Sequence, residues 1–109
     1  TFDAEHGGMQ LPFMAAAATG YILTAANNAL VMYAGLTSGA AHLITSFGTK
    51  EQSEMYVPKM LNGEWGGTMC LTEPQAGSSL SDITSAAIPQ ADGSYNVSGT
   101  KIFITWATN

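Results

Sequence analysis

Between Glu5 and Lys50 the chain carries not one Asp, Glu, Lys or Arg. A helix at a protein surface keeps charged side chains on its wet face, so a helical stretch that is apolar or small all round belongs inside a large protein or a membrane. The run from Met14 to Leu36 is long enough to span a bilayer. Thr19, Gly20, Thr24 and the pair Asn27-Asn28 argue against a span, since amides in lipid are costly and no Lys or Arg flanks either end to orient one. The run therefore reads as core helices, with no membrane span, whose covering partners lie outside this chain.

The remaining composition narrows the field further. A length of 109 residues allows one ordinary domain at most. The chain opens on Thr1 without a basic, apolar leader, which suggests an internal piece of a longer protein. A net charge of −5, with cations only at Lys50, Lys59 and Lys101, excludes nucleic acid as a partner, because a phosphate backbone needs clustered cations. The single cysteine, Cys70, cannot form an internal disulfide.

Along the chain, Gly7-Gly8 marks a loop and Pro12 suits a first helical turn. Ile22, Ala26, Ala29 and Tyr33 fall on one helical stripe, with Gly20 and Asn27-Asn28 as points of bending or interruption. Ser38 is expected to cap a further helix in which Ala40, Leu43, Ile44 and Phe47 share a face, ended by Gly48. Thr49 and Gln52 have capping-box spacing; Met55 and Tyr56 are expected to face the core, and Pro58 to restart the helix as a short turn.

Beyond Glu64 the pattern turns β-like, with candidate strands at 67–71, 85–88, 94–97 and 101–105 and a hairpin signal at Asp92-Gly93. The expected fold class is α+β. Residues 1–64 would be the C-terminal part of an all-α N-terminal domain, and 65–109 the first strands of an antiparallel middle β-domain.

The most specific segment is Met69-Cys70-Leu71-Thr72-Glu73-Pro74-Gln75-Ala76-Gly77-Ser78. A strand ending at Thr72, stopped by Pro74 and followed by a tight Ala76-Gly77-Ser78 turn, can present amides and a hydroxyl to an anion or a polar ring edge. By itself it reads more readily as an ordinary strand exit.

Cys70 to Ser78 resembles the C-x-T-E-P-x-A-G-S-D signature of the acyl-CoA dehydrogenase family. Asp92-Gly93-Ser94-Tyr95 and Val97 to Thr105 resemble its D-G-x-Y-x-x-x-G-x-K-x-(W/F)-I-T stretch. Gly48 to Gln52, Tyr56 to Gly63 and Glu5 to Pro12 resemble, in order, its G-T-x-E-Q-K, Y-L-P-x-L-x-x-G and E-x-G-G-x-G-x-P segments. Two positions depart. Ser79 stands where the family usually has Asp, and Phe103 where short-chain members usually have Trp, which is similar to the longer branch that includes 3-methylmercaptopropionyl-CoA dehydrogenase-like proteins.

The resemblance implies a flavoprotein oxidoreductase of fatty acid metabolism, acting on CH–CH donors and introducing an α,β double bond into an acyl-CoA thioester with FAD as hydride acceptor. It implies that Met69, Leu71 and Thr72 line the flavin, and that Ser78 lies near the FAD pyrophosphate and the acyl-CoA. Phe103, Ile104 and Thr105 would form the second flavin stretch. A C-terminal helical domain, absent from this chain, would carry the catalytic base beyond Asn109. An electron-transferring flavoprotein is the implied acceptor, and a homodimer or homotetramer in the bacterial cytoplasm or mitochondrial matrix the implied setting. An acyl-CoA oxidase or other flavoenzyme of the superfamily using oxygen, or a non-catalytic helical interaction module retaining the fold, are the alternatives.

Other residues read as structural. Glu73, inside the signature, has no proton-transfer role implied by the resemblance. His6 and His42 do not form a metal pair, since no Cys, Asp or Glu is read at ligand spacing beside either, and no metal site is expected. His42 reads as a hydrogen-bonded core histidine and Cys70 as a small buried hydrophobe. Trp65 and Trp106 read as packing residues, and Ser78, Ser79 and Ser81 lack the His and acid partners of a nucleophile.

Overall fold

The computed structural model describes residues 2–106. Helices come first and antiparallel strands second, as the α+β pattern of the sequence requires. A short 3-10 turn, Ala4–His6, precedes helix α1 (Phe13–Phe47), which is followed by helix α2 (Lys50–Leu61). Contacts group the chain into one unit running up to Thr68 together with Trp106, and a second unit, Met69–Thr105.

Helix α1 is interrupted at Asn27, whose backbone is non-helical (φ −158°, ψ 89°). The Asn27 Oδ1 accepts the Leu30 N–H at 3.1 Å, as an N-cap does, so the helix restarts where its amide permits. Ser38, expected to cap a further helix, instead lies inside α1, because the chain has already been capped eleven residues earlier and nothing breaks it again. Three threonines of α1 are satisfied internally. The Thr19, Thr37 and Thr45 hydroxyls donate to the carbonyls of Ala15, Tyr33 and Ala41. At Gly48 the chain turns extended and Thr49 opens α2 with the expected capping box. The Gln52 N–H bonds Thr49 Oγ1 at 3.3 Å and the Thr49 N–H bonds Gln52 Oε1 at 2.8 Å. Pro58 does not restart α2, which runs through it; so near the C-terminus its ring removes only the amide that would have met the Glu54 carbonyl.

Helix α1 meets α2 through a small core of Ala41, Val57 and Met60, edged by Phe2, Ala40, Ile44 and Leu61. Met55 and Tyr56 are exposed rather than core-facing, since the face of α2 turned to α1 carries Val57, Met60 and Leu61. Tyr56 packs instead beside Trp65, ring centroids 5.8 Å apart. The earlier part of α1 is uncovered: Tyr21 is 78% and Ile22 67% exposed. By length and composition α1 is the one helix among the described residues apolar enough to cross a membrane. The Asn27 break in its middle argues against a continuous span.

In the second unit, strands β1 (Ala86–Pro89) and β2 (Tyr95–Ser98) pair antiparallel with Ala86 opposite Ser98 and Pro89 opposite Tyr95. The turn follows the Asp92-Gly93 signal. Gly93 adopts φ +83°, and Asp92 Oδ1 accepts both the N–H and the hydroxyl of Ser94. The candidate strands at 67–71 and 101–105 are not strands. Among the described residues a single backbone bond, Ile102 N–H to the Thr72 carbonyl at 2.9 Å, joins the stretches around them, and Phe103 turns to φ +56°, outside the β region.

Candidate functional site

The signature closes into a tight turn in which Glu73 and Ala76 exchange backbone bonds, N–H to carbonyl, at 2.8 and 3.1 Å, leaving Pro74 and Gln75 at the corner. This folds the Glu73 side chain inward, where it is 2% exposed. A carboxylate taken out of water must be given donors and a counter-charge. Glu73 Oε1 accepts from Lys101 Nζ at 2.7 Å and from the Ser85 N–H at 3.0 Å. Its Oε2 accepts the Thr84 N–H at 2.8 Å, the Thr84 hydroxyl at 2.9 Å and Gln75 Nε2 at 2.7 Å. The Lys101 ammonium, followed by the Ser85 and Thr84 groups, holds this carboxyl far below the usual carboxylate range. A group so fully engaged and so weakly basic cannot serve as a proton acceptor at neutral pH, in line with the structural reading of Glu73.

Lys101 reaches further. Its ammonium also donates to the Leu71 carbonyl at 3.2 Å, so the stretch before the turn and the stretch after Gly99 are tied by side chain as well as by the Ile102–Thr72 bond. The expected cofactor residues sit on these two stretches. Met69 (61% exposed), Leu71 and Phe103 (87% exposed) present apolar surface, while Thr72 and Ile104 are half-buried and Thr105 is exposed. The Thr72 carbonyl is engaged by Ile102; its hydroxyl has no partner among the described residues. Ser78 stands exposed beyond the turn, without a hydrogen bond to either stretch among the described residues. The structure thus brings the segment ending in Thr72 against that leading to Phe103, and leaves Ser78 apart.

These features suit a flat, polar-edged aromatic cofactor. Apolar side chains are held at the surface where a ring would cover them, and the Thr72 hydroxyl remains available for a polar edge. A bulky residue at φ +56° is a backbone outlier of the kind that clusters where ligands are held.

Sequence reasoning did not identify the partners of Glu73. The signal was present: Lys101 is the sole cation after Lys59, so a carboxylate buried in this half had only one place to find its counter-charge.

Several structural readings need correction. Cys70 is exposed rather than buried, since its segment is not held in a sheet. His42 is also exposed, its ring stacked on Phe2 at 4.1 Å, because the core lies on the Ala41–Ile44 side of α1. His6 does have acids nearby: ligand atoms of Asp3, Glu5 and His6 lie within 4.8 Å of one another, brought together by the 3-10 turn that the sequence spacing did not reveal. Asp3 and Glu5 are exposed, and acidic surface turns of this kind are common without a metal. Both tryptophans pack: Lys59 Nζ lies 4.2 Å above the Trp65 ring, and Trp106 tilts against Tyr33 at 4.4 Å. An open groove of about 660 Å³ beside them, lined by Tyr33, Thr37, Met60, Trp65 and Trp106 among others, contains none of the expected cofactor residues.

Residues 1–64 match the family model described as "Acyl-CoA dehydrogenase, N-terminal domain". The chain is 48% identical over 103 residues to the 3-methylmercaptopropionyl-CoA dehydrogenase of Ruegeria pomeroyi, covering 94% of this chain and 18% of that protein. It is 45% identical over 83 residues to a butyryl-CoA dehydrogenase of Syntrophomonas wolfei, covering 75% of this chain and 14% of that protein. It is 42% identical over 103 residues to a broad-specificity linear acyl-CoA dehydrogenase of Mycobacterium tuberculosis, covering 94% and 16%. The chain therefore spans less than a fifth of the length of these relatives. With the helices-then-strands order and the family model over more than half its residues, the chain belongs to the acyl-CoA dehydrogenase family.

Proposed function

We propose that the protein carrying this chain is a flavoprotein that introduces a double bond between the α- and β-carbons of an acyl-CoA thioester. The observation that carries this reading is the joined pair of stretches ending in Thr72 and leading to Phe103, with Met69, Leu71 and Phe103 exposed beside an unengaged Thr72 hydroxyl. FAD, when bound, supplies the hydride acceptor. Met69, Leu71 and Phe103 would cover the ring and keep water from it. The Thr72 and Thr105 hydroxyls would meet its polar edges, Ile104 would pack behind them, and Ser78 would serve the pyrophosphate and the thioester.

The α-proton needs a base, and among the acids of the signature region Glu73 is already committed to five donors. The family resemblance implies a base on a carboxylate outside these 109 residues, and we adopt that reading. Electrons would leave to a separate electron-transferring flavoprotein, from a protein assembled as a homodimer or homotetramer. The names of the relatives point to 3-methylmercaptopropionyl-CoA and butyryl-CoA as first substrates to try.

The test is the visible spectrum of the full-length protein before and after anaerobic addition of these thioesters. A yellow protein that bleaches with one of them supports flavin binding and hydride transfer together. A colourless protein that cannot be reconstituted with FAD overturns the reading. Rapid reoxidation by air, rather than by a carrier flavoprotein, would assign an oxidase.

A further inference from the structure

The stretches carrying the proposed flavin residues are not paired as strands within residues 2–106. Among the described residues one backbone bond joins them, Ile102 N–H to the Thr72 carbonyl. A single bond leaves a pivot, and a second attachment is needed to fix the angle and height of one stretch against the other. That attachment is made by side chains. Lys101 Nζ lies 2.7 Å from Glu73 Oε1 and 3.2 Å from the Leu71 carbonyl. Glu73 is itself pinned to the start of the hairpin through Thr84 and Ser85.

The two members of the pair stand next to the proposed cofactor residues: Glu73 follows Thr72, and Lys101 lies two residues before Phe103. The Phe103 backbone is held in a left-handed conformation that a bulky residue keeps only when its surroundings impose it. A buried ion pair is weak evidence for stability, because desolvation consumes much of the Coulomb gain; its best-supported use is to specify registry.

We propose that the Glu73–Lys101 pair is a positioning device for the flavin, setting the approach of Thr72 to the Phe103–Thr105 stretch. This rests on the flavin reading above. Neither residue touches the cofactor in this scheme; each acts through the segments it ties. The pair should therefore govern flavin affinity and flavin environment while leaving recognition of the acyl-CoA largely alone.

The experiment uses the full-length protein, wild type and the variants Lys101→Met, Glu73→Gln and Lys101→Arg. Each is stripped of flavin, titrated with FAD, and its visible spectrum recorded; KM for the thioester is measured on the reloaded forms. Lys101→Met and Glu73→Gln are expected to weaken FAD binding about tenfold or more and to shift the flavin bands, with KM within about twofold of wild type. Lys101→Arg keeps the charge but not the compact ammonium, and is expected to recover part of both losses.

Wild-type affinity and spectrum in a folded Lys101→Met or Glu73→Gln protein would overturn the proposal while leaving the flavin reading intact. Should neither fold, Lys101→Arg decides: a loss of about threefold in FAD affinity with shifted bands supports the proposal, and unchanged values overturn it. A wild-type protein that binds no FAD overturns both, and that outcome is seen before any variant is made.

Discussion

Lys101 Nζ lies 2.7 Å from Glu73 Oε1, and these two residues, 28 apart in sequence, form the polar centre of the second unit. The carboxylate is enclosed while the lysine remains partly accessible, with side-chain exposures of 1% and 25%. The asymmetry has a physical cause. Lysine can bury its stem and keep its ammonium near water, whereas a buried carboxylate must be met by donors on every side. Thr84, Ser85 and Gln75 supply them, and the turn that closes on Ala76 delivers Glu73 to them.

That arrangement has a consequence for pH. The Glu73 carboxyl is held far below its ordinary value of 4.5, chiefly by Lys101, so the folded state keeps it ionised where the unfolded chain would protonate it. A depressed carboxyl contributes stability that is fully present above the unfolded value and is lost as pH falls beneath it. Full-length Glu73→Gln should therefore be less stable than wild type at pH 7, and the gap should narrow as pH drops below about 4.5. Urea unfolding at a series of pH values reads it; a gap that stays constant down to acid pH would contradict the depressed carboxyl.

Gly99 sits where the backbone and its neighbour leave no room for a side chain. It adopts φ +139°, and a side chain there would collide with Ser85, including its Cα at 2.8 Å. Gly99→Ala combines an unfavourable backbone with overpacking and should cost about 3 kcal/mol. Adding Ser85→Gly removes the side-chain collision but not the backbone cost, so the double variant should recover only part of the loss. Full recovery in urea unfolding would place the whole effect in the Ser85 contact.

The parts of the fold that were legible in the sequence are those fixed by local chemistry. Thr49 and Gln52 announce their capping box, Asn27-Asn28 its interruption and Asp92-Gly93 its hairpin because each motif satisfies its own backbone within a few residues. The readings that failed depend on distant partners. Residues 67–71 and 101–105 have strand-like composition, yet a strand is made by its neighbour, and among the described residues the neighbour offers one backbone bond. Met55 and Tyr56 are as apolar as Val57 and Met60; only the position of α1 decides which pair is buried. At the site, Thr72 and Phe103 were singled out through family resemblance, whereas the convergence of Glu73, Thr84 and Lys101 required the fold.

The uncovered face of α1 yields a prediction about the 109-residue chain made by itself. Tyr21, Ile22, Leu23, Leu30 and Met32 are exposed along a helix that carries no charged residue. Contiguous apolar surface without charge drives association. The isolated chain should bind a hydrophobic dye strongly, sediment as heterogeneous oligomers and unfold without a sharp transition. A soluble monomer with a cooperative melt would show that α1 finds its cover within these residues.

Phe103 offers a separation of stability from function. Its backbone sits at φ +56° while its ring is 87% exposed, so the chain bears the conformational cost without recovering it by burial among the described residues. Glycine tolerates that conformation, whereas a bulky side chain there costs about 1–3 kcal/mol. Phe103→Gly in the flavin-free protein should therefore be at least as stable as wild type, despite the entropy that glycine adds to the unfolded chain. If the ring covers the flavin, the same substitution should weaken FAD binding by about tenfold, through lost apolar contact. Phe103→Leu restores an apolar side chain and should recover part of the affinity while giving up any stability that glycine gains. Thermal unfolding of the apoprotein and FAD titration, run on both variants, distinguish the outcomes. A loss of stability in Phe103→Gly together with unchanged FAD affinity would assign the residue to packing and remove it from the cofactor site.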